Sequence, residues 1–378
     1  MKLVELNIKN LRNHIDSNLE FASGTNIIYG YNGVGKTSIL EAISIAGLTK
    51  SFLPVQDSSL INHNAESYYI HAKAKTDHSN SYNIKILYKA GSKKEISGTE
   101  GENMIPKNVI GLMPIVVLSP DHKAITFGSP IDRRAFIDRT LSQSNKKYID
   151  LALKLKKCLR QRNNILNEAK RYFRNFDKVL FEAWTESLID ISAEMVVKRA
   201  KFLNDFDPYF KEIYSEVTNG KEKVELQYQP DSFTDENQYS DINTAKLHLE
   251  KVASNNFDKE LKRGTTIFGP QKDELAIIIN GSLAKDTASQ GQHKSLLISL
   301  KFAEFNFLKE NKQEMPIILL DDIFSELDSR RSELVLHMLR DNQAQTFITL
   351  TDREIVRPEF LDKSDVKYFE ISEGEVVK

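Results

Sequence analysis

The chain has 378 residues, and its 52 Lys and Arg against 53 Asp and Glu give a formal net charge of -1. Hydrophobic residues make up 40% and charged residues 28%, a composition that excludes disordered and fibrous classes. No apolar run approaches the ~18 residues that are needed to cross a bilayer. Charged residues at Lys2, Glu5 and Lys9 interrupt any signal peptide. Because Cys158 is the single cysteine, an internal disulfide and Cys-rich zinc sites are excluded. We therefore expect a cytoplasmic protein of roughly two to three structural units, with no membrane partner.

The near-zero net charge conceals a strong local asymmetry. Between Lys123 and Arg174 the sequence carries 14 Lys and Arg but four Asp and Glu, a local net charge of +10. The rest of the chain carries the compensating -11. Such a concentration of positive charge within a near-neutral protein indicates a face that attracts polyanions.

The first 120 residues show mainly β-type patterns. Apolar and polar residues alternate in some segments, and short continuous apolar runs occur in others. Strands are predicted over residues 4–9, 26–29, 68–74, 82–88 and 114–118, with hairpin turns between 89 and 101. Helical spacing of apolar residues over 38–46 predicts one helix directly after the second strand.

The middle of the chain changes to long helices. Residues 133–205 contain no Pro or Gly and repeat apolar side chains at three- and four-residue steps, which predicts two or three helices. Next come a short strand at 224–228, between turns, and a polar loop plus helix over 231–262.

β-type patterns return in the last third. We predict a type I′ hairpin around Asn280-Gly281, a helix after Gln292, and apolar strands over 317–320 and 345–350. The two ends of the chain are therefore expected to form one mixed α/β unit, interrupted by a helical insertion.

A Gly-rich segment between the second strand and the first helix fits the P-loop pattern at every fixed position. It consists of Gly30, Tyr31, Asn32, Gly33, Val34, Gly35, Lys36 and Thr37. Glycines let backbone N–H groups turn toward phosphates, and the helix N-terminus adds a favourable dipole. Lys36 is expected to reach the β- and γ-phosphates of ATP and to act in catalysis, and the Thr37 hydroxyl to bind Mg²⁺.

A P-loop needs a carboxylate near its metal, and two follow the apolar strand at 317–320. Asp321 is the candidate metal ligand. Asp322 is the candidate general base or water-orienting group, because adjacent residues at a strand end point in different directions. The alternative, an acidic loop after a core strand, is the less favoured interpretation of the pair, and the presence of a P-loop disfavours it further.

Three shorter segments carry weaker signals. Ser289 and Gly291 open a predicted helix and fit either a phosphate-binding N-terminus or a plain cap. Residues 325–328 fit either a functional loop or a capping box, and residues 349–352 either a functional strand end or a simple turn.

The order of these motifs resembles the ATP-binding-cassette heads of the SMC-like family: a P-loop, a Ser-x-Gly-Gln signature, a strand ending in two acids, and Ser-x-Leu-Asp. Further motifs, spread over nearly the whole chain, narrow the resemblance to the RecF family of DNA replication and repair proteins. They lie at 6–13, 40–43, 118–120, 128–134, 161–163, 288–292 and 319–328. The chain departs from the family pattern at positions 271, 272, 293 and 294.

The resemblance implies an α/β fold, namely an ABC/SMC-type P-loop ATPase head with a compact α-helical lobe inserted. The head is expected over 1–125 and 264–378, and the lobe over 126–263. The resemblance further implies ATP and Mg²⁺ as cofactors and a homodimer that encloses two ATP molecules. The residues expected to complete the nucleotide site are Ser289, Gln290 and Gly291 from the second subunit, together with Arg12 and Asp328. Arg12 equally fits an exposed loop arginine.

The implied function is an ATP-dependent DNA-binding protein of replication and recombinational repair. Its ATP-bound dimer would clamp gapped or junction DNA without sequence preference, help load RecR- and RecO-type mediators, and release on slow hydrolysis, without nuclease activity. Alternatives are a transport-type or signalling ABC ATPase that binds protein, and a nuclease-fused ATPase. The candidate DNA contacts, which singly also fit a solvated helix face, are Arg133, Arg134, Lys146, Lys147, Lys154, Lys156, Lys157, Arg160 and Arg162.

Overall fold

The computed structural model describes residues 1–77, 81–172, 176–353, 356 and 365–377. The chain divides into two compact units, each assembled from segments distant in sequence. Unit 1 comprises Met1–Lys123, Glu216–Thr218 and Lys294–Lys378, and unit 2 comprises Ala124–Ser215 and Asn219–His293. None of the helices in the described ranges combines the length and apolar character that a membrane span requires.

Unit 1 contains an antiparallel sheet near its N-terminus. With all strands numbered in chain order, its members are β1 (Lys2–Leu11), β2 (His14–Glu20), β4 (Ser67–Lys75), β5 (Ser81–Lys89), β6 (Glu95–Ser97) and β7 (Asn103–Met104). Their order in the sheet is β2-β1-β4-β5-β6-β7. Alternation places Leu6 and Ile8 of β1 opposite Ala72 and Ile70 of β4, and all four side chains are buried. One face of this sheet therefore lies on the core.

The second sheet of unit 1 is mostly parallel. It consists of β3 (Thr25–Tyr29), β8 (Ile115–Leu118), β12 (Ile317–Leu320), β13 (Thr346–Leu350), β14 (Val366–Ser372) and β15 (Glu375–Val376). The order is β15-β14-β3-β13-β12-β8, and β15 alone runs antiparallel to its neighbour. The apolar sequences of β8 and β12 are buried at every position, as expected of parallel strands covered on both faces.

Helix α1 (Lys36–Leu48) joins the two sheets into one core. Every residue from Ser38 to Leu48 is buried, so the helix is covered on all sides. Ile39 and Ile43 belong to the same hydrophobic cluster as Ile70 of β4 and Ile115 of β8. The other helices with residues in unit 1 are α2 (Pro106–Val109), α10 (Ser329–Asn342) and α9 (Gln290–Lys312), whose first turn belongs to unit 2. The last three residues of α6 (Lys178–Thr218) also belong to unit 1.

Unit 2 combines helices with a small sheet. Its helices are α3 (Ala124–Phe127), α4 (Pro130–Ser144), α5 (Lys146–Tyr172), α6 (Lys178–Thr218), α7 (Ile242–Arg263) and α8 (Ala284–Thr287). A three-stranded antiparallel sheet adds β9 (Val224–Gln229), β10 (Glu274–Ile279) and β11 (Ser282–Leu283). The turn between β10 and β11 has positive φ at both Asn280 (49°) and Gly281 (83°), which confirms the predicted type I′ hairpin.

The structure differs from the predicted domain limits on one side. The change between units near residue 124 lies close to the predicted 125, but unit 2 continues to His293 instead of ending at 263. The reason is that β10 pairs along the whole of β9, and Arg133 of α4 forms a 2.6 Å ion pair with Glu274. The inserted lobe therefore has its own sheet.

Helix α6 also extends beyond its predicted end near 205. It continues to Thr218 although Pro208 lies inside it. Proline removes one backbone hydrogen bond and disfavours a helix interior. Phe206, Phe210 and Tyr214 are nevertheless buried on both sides of the proline, and their packing favours the continued helix.

Candidate active site

The predicted nucleotide-binding motifs of unit 1 meet at one edge of its parallel sheet. The P-loop follows β3, Asp321 follows β12, and Thr349 lies near the end of β13, which is hydrogen-bonded between those two strands. In parallel α/β sheets, ligands bind at the carboxyl ends of the strands. The topology therefore places the P-loop and the acidic pair, 284 residues apart between Thr37 and Asp321, in one site.

The backbone of the P-loop requires glycine at two places. Gly30 has φ 148° and Gly35 has φ 112°, in the range that disfavours L side chains. A Cβ atom at Gly30 would lie 2.4 Å from the Ile371 carbonyl oxygen, and one at Gly35 would lie 2.9 Å from Nε2 of His14. The loop can adopt this course around a phosphate only because both positions lack a side chain.

Two neighbouring turns support the loop from outside. Asn13 Nδ2 donates to the Gly33 carbonyl at 2.7 Å, and the Gly374 N–H donates to the Val34 carbonyl at 3.0 Å. His14 Nε2 lies 2.9 Å from the Gly35 carbonyl. Asn13 falls within a family motif, but neither His14 nor Gly374 was predicted to take part, because both act through contacts distant in sequence.

His14 is fully buried, and its partners define its protonation. Burial lowers the pKa of His14, which favours the neutral ring, while hydrogen bonds to Gly35 and Gly374 oppose this shift. A carbonyl can only accept, so Nε2 carries the proton toward Gly35. Nδ1 lies 2.9 Å from the Ser17 hydroxyl.

The side chain of Lys36 folds back into the P-loop. Its Nζ donates to the carbonyl oxygens of Gly30 (2.6 Å) and Tyr31 (2.7 Å), and the residue is 8% exposed. Burial lowers the pKa of Lys36, while the charges of Asp322 and Asp321 raise it. The ammonium is therefore held where phosphate oxygens would be stronger acceptors than the two carbonyls.

Asp321 is joined to the P-loop by hydroxyl groups. Its Oδ1 accepts from Thr37 Oγ1 at 2.8 Å and from Thr349 Oγ1 at 2.9 Å. Burial raises the pKa of Asp321, and these two hydrogen bonds partly offset that effect. A carboxylate beside a threonine hydroxyl is a hard oxygen donor set, which fits Mg²⁺. Thr349 belongs to the segment with only a weak sequence signal.

Asp322 has a different backbone conformation from Asp321. Its φ of 46° lies in the left-handed region, which is strained for a non-glycine residue. The Asp322 N–H donates to Thr349 Oγ1 at 2.9 Å, and its carbonyl accepts from Ser325 Oγ at 2.8 Å. These bonds stabilise the turn that separates the two carboxylates, as their different predicted roles require.

Arg12 is paired with the helix that follows the P-loop. Its Nε and Nη2 each lie 3.1 Å from a carboxylate oxygen of Glu41, and Arg12 Nη1 donates to the Ser59 carbonyl. The Arg12 side chain is 30% exposed, whereas that of Glu41 is 2% exposed. The structure thus anchors Arg12 to α1, and its contact with a nucleotide stays a prediction.

Asp328 caps helix α10. It accepts from the Arg331 N–H at 3.0 Å and forms an ion pair with the Arg331 guanidinium. Burial would raise the pKa of Asp328, but these bonds from Arg331 outweigh it and lower the pKa. Arg331 Nε also donates to Ser295 Oγ of α9 at 3.1 Å. The segment therefore caps α10 through Asp328 itself and not through a capping box that begins at Ser325. A contact of Asp328 with a nucleotide stays a prediction.

The signature segment, defined as Ser289, Gln290 and Gly291, lies at the start of α9 in unit 2. The Ser289 N–H donates to Gln292 Oε1 at 2.7 Å, and the Gln292 N–H donates to Ser289 Oγ at 3.2 Å. This is a reciprocal N-terminal cap. Ser289 and Gln290 are exposed, so a second molecule can reach them.

The predicted DNA contacts fall into two groups. Six of the candidates are exposed residues of α5 and are here called the basic face: Lys146, Lys147, Lys154, Lys156, Lys157 and Arg160. Arg133 and Arg162 do not belong to it, because their side chains are 3% and 1% exposed and pair with Glu274 and Glu260. Arg134 is half-buried and donates to the Asp273 carbonyl at 2.6 Å.

Arg162 instead links α5 to α7 and to the segment that follows α7. Its guanidinium forms two hydrogen bonds with Glu260 (2.6 and 2.9 Å) and one with Thr266 Oγ1 (2.9 Å). It also lies 4.4 Å from the ring centroid of Phe181. The predicted DNA contact at Arg162 is therefore wrong, because the Arg162 guanidinium is buried in an ion pair with Glu260.

Replacing Arg162 with Ala should destabilise the protein by about 3–5 kcal/mol, because Glu260 would remain as a buried, unpaired charge. The measurement is the urea unfolding midpoint, followed by far-UV circular dichroism. Arg160→Ala, two residues away on the exposed side, is the matched control and should change stability by less than about 0.5 kcal/mol. Equal midpoints for the two variants would contradict this assignment.

The sequence and fold match known proteins over nearly their whole length. Residues 2–364 match the family model described as the RecF/RecN/SMC N terminal domain. The DNA replication and repair protein RecF of Chloroherpeton thalassium is 38% identical over 355 residues, which cover 94% of this chain and 96% of that protein. The RecF protein of Staphylococcus carnosus is 30% identical over 380 residues and 100% of both chains.

Solved structures give the same result. The recombination mediator protein RecF-ATP in the RecFOR pathway aligns with a TM-score of 0.90 and 29% identity over 99% of this chain and 96% of that chain. The Smc head domain of Pyrococcus furiosus aligns with a TM-score of 0.56 and 15% identity over 99% and 95%, which supports the fold alone. The chain therefore belongs to the RecF family and has the predicted ABC/SMC-type ATPase head fold.

Proposed function

We propose that this protein is an ATP-dependent DNA-binding protein of replication and recombinational repair. Its relatives are DNA replication and repair proteins, and a RecF structure with ATP shares its fold. One observation carries the proposal. Lys36 is held inside the P-loop, and Thr37 of the same motif is hydrogen-bonded to Asp321, which together give the chemistry of a nucleoside triphosphate site.

Each residue of the site has a defined task. Lys36 binds the β- and γ-phosphates. Thr37 and Asp321 would hold Mg²⁺, which would supply positive charge against the phosphate oxygens. Asp322 accepts a proton from the attacking water or orients it. The side chains belong to one unit of one chain, and the signature segment of a second copy completes the cradle at the γ-phosphate.

ATP thereby favours a symmetric homodimer, because each copy supplies the P-loop of one site and the signature segment of the other. The exposed position of Ser289 supports this arrangement. Slow hydrolysis removes the γ-phosphate that both copies bind, and so it loosens the dimer. Hydrolysis serves release from DNA, and no nuclease step is involved.

Asp322→Asn should reduce the rate of ATP hydrolysis by at least about 100-fold while the ATP-bound dimer persists, since the amide cannot accept the proton. Phosphate release and sedimentation velocity on the same sample measure the two properties. Asp16→Asn, at a carboxylate that is 59% exposed, is the control and should behave like the unaltered protein. Unchanged hydrolysis in Asp322→Asn would remove this residue from the mechanism.

The basic face is proposed to contact DNA phosphates at gaps or junctions, where RecR- and RecO-type mediators are then loaded. Contacts with phosphate carry little sequence information and weaken steeply with salt. Between 50 and 200 mM salt we expect DNA affinity to fall by about 10³-fold if the six cations engage. The test is a gel shift with gapped DNA at both salt concentrations, with and without ATP.

Lys154→Glu combined with Arg160→Glu should weaken binding to all sequences alike and reduce the salt dependence, because two phosphate contacts are lost. The matched control replaces the exposed Lys259 and Lys262 of α7 with Glu, which makes the same charge change outside the basic face. Absence of DNA binding at low salt would instead favour an ABC ATPase that binds protein.

A further inference from the structure

A chain of hydrogen bonds runs behind the signature segment. Gln292, which caps Ser289, uses the other end of its side-chain amide to donate from Nε2 to Glu222 Oε1 at 3.0 Å. The second oxygen of Glu222 accepts from the Tyr214 hydroxyl at 2.5 Å. Tyr214 lies in α6 and is fully buried, so the chain connects the exposed signature segment to the rigid interior of unit 2.

Glu222 determines which way the Gln292 amide points. An ionised carboxylate accepts hydrogen bonds and cannot donate them. The NH₂ group of Gln292 must therefore face Glu222, and its oxygen must face the Ser289 N–H, where the 2.7 Å bond forms. Because Tyr214 occupies the second carboxylate oxygen, Glu222 itself is held in one orientation.

The backbone N–H of Gln292 defines the polarity of the Ser289 hydroxyl, while the Gln292 side chain holds the Ser289 backbone. A serine hydroxyl has one proton to donate and two lone pairs to accept with. The Gln292 N–H engages a lone pair of Ser289 Oγ, which leaves the proton to be donated elsewhere. Phosphate oxygens are acceptors only, so a serine held in this way is suited to bind one.

We propose that Glu222 is a positioning residue for ATP hydrolysis, which acts through the Gln292 side chain to hold the Ser289 backbone, and with it the Ser289 hydroxyl, in place toward the γ-phosphate of a second copy. This inference rests on the proposed function, since the two-copy site brings the phosphate to Ser289. Glu222 belongs to none of the recognised motifs and lies in the turn between α6 and β9. The sequence predicts a turn before the strand at 224–228 and no function for Glu222.

A double-mutant cycle on the full chain tests the proposal. Glu222→Ala should lower kcat for ATP hydrolysis about tenfold, the size of losing one hydrogen bond to a charged group. Nucleotide affinity, measured with a fluorescent ATP analogue at protein concentrations too low for dimers, should change less than twofold. In a Ser289→Ala background, Glu222→Ala should have no further effect on kcat, because the residue acts through that hydroxyl.

Two controls separate positioning from folding. Glu222→Gln keeps a carbonyl oxygen that can accept from Gln292 and should restore most of kcat, and Glu225→Ala changes an exposed glutamate of β9 and should leave kcat unchanged. If the effects of Glu222→Ala and Ser289→Ala add in the double variant, or if Glu222→Ala leaves kcat unchanged while Ser289→Ala lowers it, the positioning role is overturned. If Ser289→Ala alone changes neither kcat nor dimerisation, the two-copy site fails instead.

Discussion

Lys36→Ala is expected to abolish ATP binding at ordinary nucleotide concentrations, and ATP-dependent dimerisation with it. The ammonium is held by two loop carbonyls, at 2.6 and 2.7 Å, and phosphate oxygens would replace or join them. Removing a cation that forms at least two charge-assisted hydrogen bonds should weaken ATP binding by about 100-fold or more. Calorimetric titration measures the affinity, and sedimentation velocity with and without ATP measures the dimer.

Lys36→Ala also removes a buried charge near Asp321 and Asp322, so its effect on folding must be measured separately. Urea unfolding of the nucleotide-free variant gives that value. Lys9→Ala is the matched control, since its side chain is 49% exposed and forms an ion pair with the exposed Asp16. A folded Lys36→Ala variant that still dimerises with ATP would show that the P-loop does not bind the joining nucleotide.

The parts of the site that sequence predicts well are those in which local chemistry and local structure coincide. The P-loop needs glycines at Gly30 and Gly35 for its backbone, and the same residues form the motif. The apolar strand β12 must be buried on both faces, which makes its end, and hence Asp321, easy to locate. These features depend on neighbours in the chain, so a single sequence contains them.

Strand β2 was not predicted, because its buried positions do not alternate in the apolar manner of a half-buried strand. They include His14 and Ser17, which are polar. Their burial makes sense only beside Gly35 and Gly374, which are distant in sequence. The C-terminal strands β14 and β15 were missed as well, although Gly374 between them supports the P-loop. Long-range polar contacts leave no periodic signal.

The helical position of Arg162 indicates burial, but the charge of the surrounding segment favoured the opposite interpretation. The apolar stripe of α5 contains Leu151, Leu155, Cys158 and Leu166. Arg162 lies on the same stripe, four residues after Cys158 and four before Leu166. Counting charges over the whole segment assigned it to the polyanion-binding face. Helical position assigns it to the interior, and its distant partner Glu260 explains how a charge is tolerated there.

Ser289→Arg tests the shared site most directly, because a symmetric pair places the substitution at both nucleotides. Ser289 is exposed, and among the described hydrogen bonds its hydroxyl takes part only in the cap with Gln292. Loss of the cap should cost about 1 kcal/mol of stability, so the variant should fold. The bulky side chain should, however, prevent close approach to a phosphate bound in the other copy.

We therefore expect Ser289→Arg to bind ATP with unchanged affinity as a single chain, to form no ATP-dependent dimer, and to hydrolyse ATP about 100-fold more slowly, comparable to loss of a major transition-state donor. Ser254→Arg, at an exposed serine of α7, is the control and should retain both properties. An equimolar mixture of Ser289→Arg and Lys36→Ala chains adds a sharper readout. The Ser289→Arg chain still supplies an intact P-loop, and the Lys36→Ala chain still supplies an intact signature segment. A mixed pair therefore has one intact site, which should restore part of the ATP-dependent dimer. If each site were complete within one chain, mixing would restore no dimer.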